Sequence, residues 1–269
     1  MAEIMGVVNV TPDSFSDGGL YLDAERAVEH GRGLAASGAA ILDVGGESTR
    51  PGAEPVDAAE ERARVEPVVR RLTGGQVAVS IDTSKVAVAE AALDAGAEMV
   101  NDVTALRADP EIAGLCADRG SGLVLMHLQG TPRTMQENPT YDDVVEDVKA
   151  FLAERLGAAL REGVAEERIW LDPGIGFGKT LEHNLELLRR LGELTALGRP
   201  IVVGASRKSF IAAIDGSPVD QRLGGTIAAS VLAVSGGADV VRVHDVAEMA
   251  QALRVADAIL GRGDWRRTP

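Results

Sequence analysis

Cysteine is nearly absent from this chain of 269 residues. Cys116 stands alone, so no intramolecular disulfide forms and nothing demands an oxidising compartment. Aromatic residues are scarce at 3%, and two of the four Phe, Phe15 and Phe177, fall in Gly-rich stretches rather than in apolar runs. Basic residues are outnumbered, 27 Lys and Arg against 41 Asp and Glu, for a net charge of −14. A surface of that sign repels nucleic acid and anionic lipid, and no basic run exceeds Arg70-Arg71 or Arg266-Arg267. An anionic small substrate would have to be met by a few local cations. No stretch approaches the roughly 18 apolar residues of a membrane helix. The opening MAEIMGVVNV has neither the basic start nor the apolar core of a secretory signal. These absences point to a cytoplasmic protein without nucleic-acid or membrane partners. They also leave the sequon Asn9-Val10-Thr11 without a secretory context.

What is present is a repeated alternation. Short β-branched apolar runs occur at Ile4–Val10, Ala40–Val44, Val77–Ile81, Glu98–Val103, Leu123–Leu128, Ile169–Leu171, Ile201–Val203 and Val240–Val243. Between them lie Ala/Glu/Arg/Leu-rich segments with apolar residues three and four apart, among them Ala24–Ala36, Ala58–Leu72, Val86–Ala95, Tyr141–Arg161 and Leu181–Leu194. Gly38, Gly96, Gly120, Gly163, Gly198 and Gly237 follow helical stretches as left-handed caps do. No shift to linker composition interrupts the series, so residues 1–269 read as one domain. Eight strand–helix units in a chain of this length predict a (β/α)8 TIM barrel, a fold of roughly 250 residues with its site at the C-terminal ends of the strands. The competing open sheet is disfavoured because no strand leads into G-x-G-x-x-G. Gly174-Ile175-Gly176-Phe177-Gly178 has the wrong spacing. Gly178-Lys179-Thr180 resembles a P-loop end, but Pro173 occupies its first Gly position. These are read as turn glycines.

Polar side chains mark the end of every strand. They are Asn9; Asp43 leading to Glu47-Ser48-Thr49-Arg50; Asp82-Thr83-Ser84-Lys85; Asn101-Asp102; His127; Asp172; Ser206-Arg207-Lys208; and Arg242 with His244. One such residue is often a helix cap, but eight on one rim predict a site. Asp82, Asn101 and Asp172 suit a flat, donor-rich heterocycle, because a carboxylate pairs twice with an N–C(–NH2)–N edge. Arg50, Lys208, Arg242 and His244 form the cation set for a phosphorylated substrate. Four His and one Cys argue against a zinc site. A Mg2+ shared with phosphate oxygens needs few protein ligands and stays open. The stretches Thr11–Tyr21 and Ser48–Pro55 read as loops able to close over a substrate.

Plainer readings compete at several positions. Asp13, Ser14 and Asp17 suit Asx turns, and Asp172 before Pro173-Gly174 suits a turn. Asp43, inside an apolar strand, reads as a buried structural charge and is left out of the site. His127 reads equally as a hydrogen-bonded barrel residue or a ligand, and His30 and His183 as surface residues. Arg207-Lys208 at a helix start opposes the helix dipole, which favours a functional reading for the pair.

The strings Met5-Gly-Val-Val-Asn9-Val-Thr-Pro-Asp-Ser-Phe-Ser-Asp-Gly-Gly19 and Asp43-Val-Gly-Gly-Glu-Ser-Thr-Arg-Pro-Gly52 resemble the signatures of dihydropteroate synthase. Ser80-Ile-Asp-Thr83, Asn101-Asp-Val103, Asp172-Pro-Gly-Ile-Gly-Phe177, Gly204-Ala-Ser-Arg-Lys-Ser209 and Arg242-Val-His-Asp245 follow in the family's order. The resemblance implies condensation of 6-hydroxymethyl-7,8-dihydropterin diphosphate with 4-aminobenzoate, with Mg2+. It implies that Asp82, Asn101, Asp172 and Lys208 hold the pterin, that Asn9 contacts Mg2+, and that Arg50, Arg242 and His244 meet the diphosphate. Thr49, Pro51, Phe15, Phe177 and Ser209 would surround the aminobenzoate. Lys208, Asp82, Arg242 and His244 are the residues on which it places the chemistry. The plain Ser48–Gly52 loop implies sulfonamide sensitivity, and the family implies a homodimer, for which Thr226–Ala233 offers one packing face unless that row packs on the barrel. A methyltetrahydrofolate:corrinoid methyltransferase would share the pterin grip but would not need the Ser-Arg-Lys and Arg-Val-His strings. A pterin-binding paralogue without turnover is the remaining alternative.

Overall fold

The computed structural model describes residues 2–11, 20–48, 53–131 and 133–262. Eight parallel strands order as β6-β5-β4-β3-β2-β1-β8-β7. They are β1 (Glu3–Asn9), β2 (Ile41–Gly45), β3 (Ala78–Asp82), β4 (Met99–Asp102), β5 (Gly122–Met126), β6 (Ile169–Asp172), β7 (Val202–Val203) and β8 (Val240–Val243). A single parallel bridge between Leu171 and Ile201 joins β6 to β7 and completes the ring. Helices α1 (Leu20–Ala36), α2 (Ala58–Leu72), α3 (Val86–Asp94), α4 (Glu111–Arg119), α5 (Val144–Arg161), α6 (Leu181–Arg189), α7 (Ser209–Asp215), α8 (Leu223–Ser235) and α9 (Val246–Ile259) link and flank the strands. The predicted (β/α)8 barrel is the fold observed.

Two rows of strand side chains build two different cores, because successive residues of a strand face opposite sides. Val8, Leu42, Val44, Val79, Ile81, Leu123, Leu125 and Leu171 point outward and merge with the apolar faces of the helices. Met5, Ile41, Met99, Val124, Val202 and Val240 point inward and make a separate apolar plug packed on Trp170. This plug is the floor of the barrel. Two residues further along the same strands, the inward positions become Asp43, Asn101, Asp172 and Arg242. Polar residues therefore collect above the floor without any strand changing its register.

Local chemistry explains where helices begin. Asp57 caps α2 by accepting from Glu60 N–H at 2.8 Å, with Glu60 and Glu61 in its first turn and Arg70 and Arg71 in its last, all complementing the dipole. Asp143 accepts from Val145 and Glu146 N–H, so the helix read from Tyr141 starts at Val144. The stretch read as one helix to Leu194 is two pieces: α6 ends at Arg189 and a 3-10 turn runs from Leu191 to Leu197. The six cap glycines named from sequence all have positive φ. Among the described residues, no helix is long and apolar enough to cross a membrane.

Candidate active site

A pocket opens at the C-terminal ends of the strands, lined by Val7, Asp82, Asn101, Val103, Met126, Asp172, Gly174, Ile175, Phe177, Gly204, Ser206, Lys208, Arg242 and His244. Eight of the residues singled out from sequence meet here: Asp82, Asn101, Asp172, Phe177, Ser206, Lys208, Arg242 and His244. Phe15, Thr49, Arg50 and Pro51 lie outside the described residues. Asn9 ends β1 beside Gly45, and Ser209 opens α7 exposed to solvent; neither lines the pocket. Val7, Val103, Met126 and Ile175 supply apolar walls that sequence reasoning did not assign to the site. Their signal was available, since Val7 and Met126 share the inward rows of the strands.

A buried ion-pair ladder fixes the middle of the site. Arg242 donates from Nε to Asp43 Oδ2 at 2.6 Å and from Nη2 to Asp82 Oδ2 at 2.7 Å. Asn101 Nδ2 donates to the same Asp43 oxygen at 2.9 Å, which orients the amide and leaves its carbonyl able to accept from a ligand. Asp43 is fully buried and does not line the pocket. It does pair with a neighbour, as read from sequence, but its partners are two pocket residues. The reading of a buried structural charge outside the pocket holds, and the structure adds its role: Asp43 stands behind Arg242 and Asn101 and orients both. The missing signal was tertiary, because nothing local tells a structural buried Asp from one that supports a site.

Burial sets the protonation of the remaining groups. Removal from water pushes Asp82 up to about 7, against the pull of Arg242. Burial also raises Asp172, whose Oδ1 is held by Gly174 N–H at 2.6 Å. Gly174 has φ +67, and a Cβ there would lie 1.9 Å from the His127 carbonyl, so only glycine permits this turn. Lys208 is lowered to about 7 by burial and then by Arg242, and its Nζ sits 3.6 Å from the centre of the Phe177 ring.

His244 was counted among the cations from sequence. Burial, then Arg242, lowers it to about 4, so it stands neutral. Its Nδ1 lies 2.9 Å from Ser206 Oγ; a proton given by Ser206 there leaves Nε2–H as a donor to an anion.

The turn before α7 separates Lys208 from its neighbour. Arg207 adopts φ +58, a strained conformation for a residue with a Cβ. Its N–H donates to Thr226 Oγ1 at 3.0 Å, its carbonyl accepts from Arg222 at 2.9 Å, and its guanidinium grips Asp245 at 2.5 Å. Thus Arg207 is a tie and Lys208 alone enters the pocket, which corrects the functional reading of the pair. His127 is buried at Lys179, 2.8 Å from its Nζ, and is a barrel residue. His183 is half-buried and helps cap α6 with Thr180, while His30 is exposed as read.

A carboxylate pair, an amide carbonyl, a lysine, an arginine and a neutral imidazole thus surround one slot with apolar walls. That combination suits a flat heterocycle carrying an anionic substituent. The family model described as pterin binding enzyme matches residues 5–244, and the chain belongs to that family. The dihydropteroate synthase of Mycobacterium leprae is 49% identical, over 97% of this chain and 94% of its own. That of Escherichia coli is 44% identical, over 98% and 94%. A Xanthomonas albilineans dihydropteroate synthase solved with 4-aminobenzoic acid superposes with TM-score 0.91 at 46% identity, covering 97% and 94%. Within the family, the chain falls among the dihydropteroate synthases.

Proposed function

We infer that this chain condenses 6-hydroxymethyl-7,8-dihydropterin diphosphate with 4-aminobenzoate, giving 7,8-dihydropteroate and pyrophosphate. The observation that carries the reading is the meeting of Asp82, Asn101 and Asp172 with Lys208, Arg242 and His244 in one pocket. The acceptors and Lys208 hold the pterin, and Arg242 with the Nε2–H of His244 meets the diphosphate. The family pattern adds Arg50 to them and assigns Phe15, Thr49, Pro51, Phe177 and Ser209 to the aminobenzoate. The reaction begins with cleavage of the C–O bond, whose electron pair leaves with pyrophosphate. The methylene cation that remains is delocalised into the pterin ring and faced by the Asp82 and Asp172 carboxylates. The aromatic amine then adds to the methylene and loses a proton. As a weak nucleophile it needs alignment and exclusion of water more than a strong base.

Among the described residues no cluster of His, Cys, Asp or Glu could hold a metal by itself. Asn9 offers one amide oxygen at the rim, which fits a Mg2+ that takes its other ligands from diphosphate and water. Bound there, the ion would neutralise charge on the leaving pyrophosphate.

We also propose a homodimer. Thr226, Ala229, Ser230 and Ala233 of α8 are buried, so that row packs on the barrel. Ile214, Leu232, Val255 and Ile259 of α7, α8 and α9 are exposed, Ile259 to 79%, and are the better candidates for a subunit face. Light scattering on eluting protein checks the mass. A cytoplasmic location accords with the single, buried Cys116.

Dihydropteroate formation, followed with rising sulfonamide at several 4-aminobenzoate concentrations, tests the reading. Competition with a common maximal rate is expected. Noncompetitive inhibition, or none at high sulfonamide, would overturn the aminobenzoate assignment. Pterin binding without turnover would instead favour a paralogue lacking the activity.

A further inference from the structure

Lys179 lies between β6 and α6 with 3% of its surface exposed. Its ammonium meets two neutral acceptors, His127 Nδ1 at 2.8 Å and the Phe177 carbonyl at 2.9 Å. Burial lowers Lys179 to about 7 and His127 to about 2, so lysine donates and imidazole accepts. Among the described residues Lys179 forms no ion pair within 4.0 Å. The counter-charge it feels, Asp172, lies beyond 4.0 Å, and a buried ammonium whose hydrogen-bond partners are all neutral costs stability that an apolar side chain of similar length would not. Stability therefore does not account for a lysine here.

The geometry around it does. Every turn of the loop from Asp172 to Thr180 is tied down. Gly176 N–H donates to Asn184 at 2.6 Å, Gly176 O accepts from Gln136 at 2.8 Å, and Gly178 O accepts from the Tyr141 hydroxyl at 2.6 Å. Lys179 adds the tie on Phe177 and is the side chain that reaches across to His127, just after β5. At the start of the loop the His127 N–H donates to the Asp172 carbonyl at 2.9 Å. The loop is thus fastened to the end of β5 near both of its own ends, with Phe177 between.

We propose that Lys179, clasped to His127, is a positioning residue: it fixes Phe177, and through that ring the Lys208 ammonium, in the arrangement that receives the pterin. The inference rests on the assignment of Asp172 and Lys208 to the pterin. The test is calorimetric titration with 6-hydroxymethylpterin of Lys179→Met, His127→Leu, the double variant and Asp172→Asn, with the thermal midpoint of each. Lys179→Met should lose about tenfold or more in pterin affinity while its midpoint stays at or above that of the parent. Adding His127→Leu to it should cost less than about twofold more, since one clasp is already open. His127→Leu alone strands a buried ammonium, and if it fails to fold, the double variant still decides. An additive further loss in the double variant would overturn the clasp. So would Lys179→Met binding within about twofold of the parent while Asp172→Asn loses affinity, with the pterin assignment intact. Unchanged binding by Asp172→Asn would remove that assignment and the clasp with it.

Discussion

The floor and the rim of this barrel are made by the same strands and obey opposite rules. At the floor, Met5, Ile41, Met99, Val124, Val202 and Val240 bury apolar surface with no polar partner to satisfy. One step up, Asp43, Asn101 and Arg242 are buried or nearly so and exist only as a mutually hydrogen-bonded set. The floor is stable because it excludes water; the rim excludes water and retains charge. Asp82 and Lys208, each moved to about 7 mainly by burial, measure that cost. The fold thus keeps its stability at one end of the strands and its chemistry at the other.

Substitutions at the two ends should separate these roles. The largest effect is expected for Asp172→Asn, which faces the pterin edge with an amide donor: titration should show affinity lower by on the order of a thousandfold. Its thermal midpoint should hold, because a desolvated carboxylate has been removed; lost stability with unchanged affinity would reverse the comparison. Met5→Ala at the fully buried floor should cost about 2–5 kcal/mol in denaturant unfolding, with the KM values of the folded enzyme unchanged. The smallest effect is the pH profile. Asp82 must be ionised, which holds above about 7, and Lys208 protonated, which holds below about 7. The kcat/KM profile should therefore be bell-shaped with both limbs near 7, falling about tenfold per pH unit on each side. Asp82→Asn should abolish the acid limb; a flat profile between pH 6 and 8 (roughly the range the two groups span) would refute the assignment.

Much of this was legible because alternation and strand-end polarity are local signals. Apolar runs placed all eight strands, and the polar residues at their ends placed Asp82, Asn101, Asp172 and Arg242 together. Misreadings arose where meaning depended on a distant partner. Asp43 was read as a paired structural charge, but its partner Arg242, 199 residues away in the chain, could not be named from sequence. Arg207 looked functional because its αL turn and its tie to Asp245 leave no trace in composition. His244 looked cationic because burial is not written in a motif. Lys179 was passed over as the end of a failed P-loop, although it is nearly buried against His127.

The most direct test of the central claim is pyrophosphate release by the purified protein with pterin diphosphate, 4-aminobenzoate and Mg2+, each omitted in turn. Release that requires both organic substrates, with 7,8-dihydropteroate formed, is the predicted result. No release by a protein that binds the pterin would contradict it.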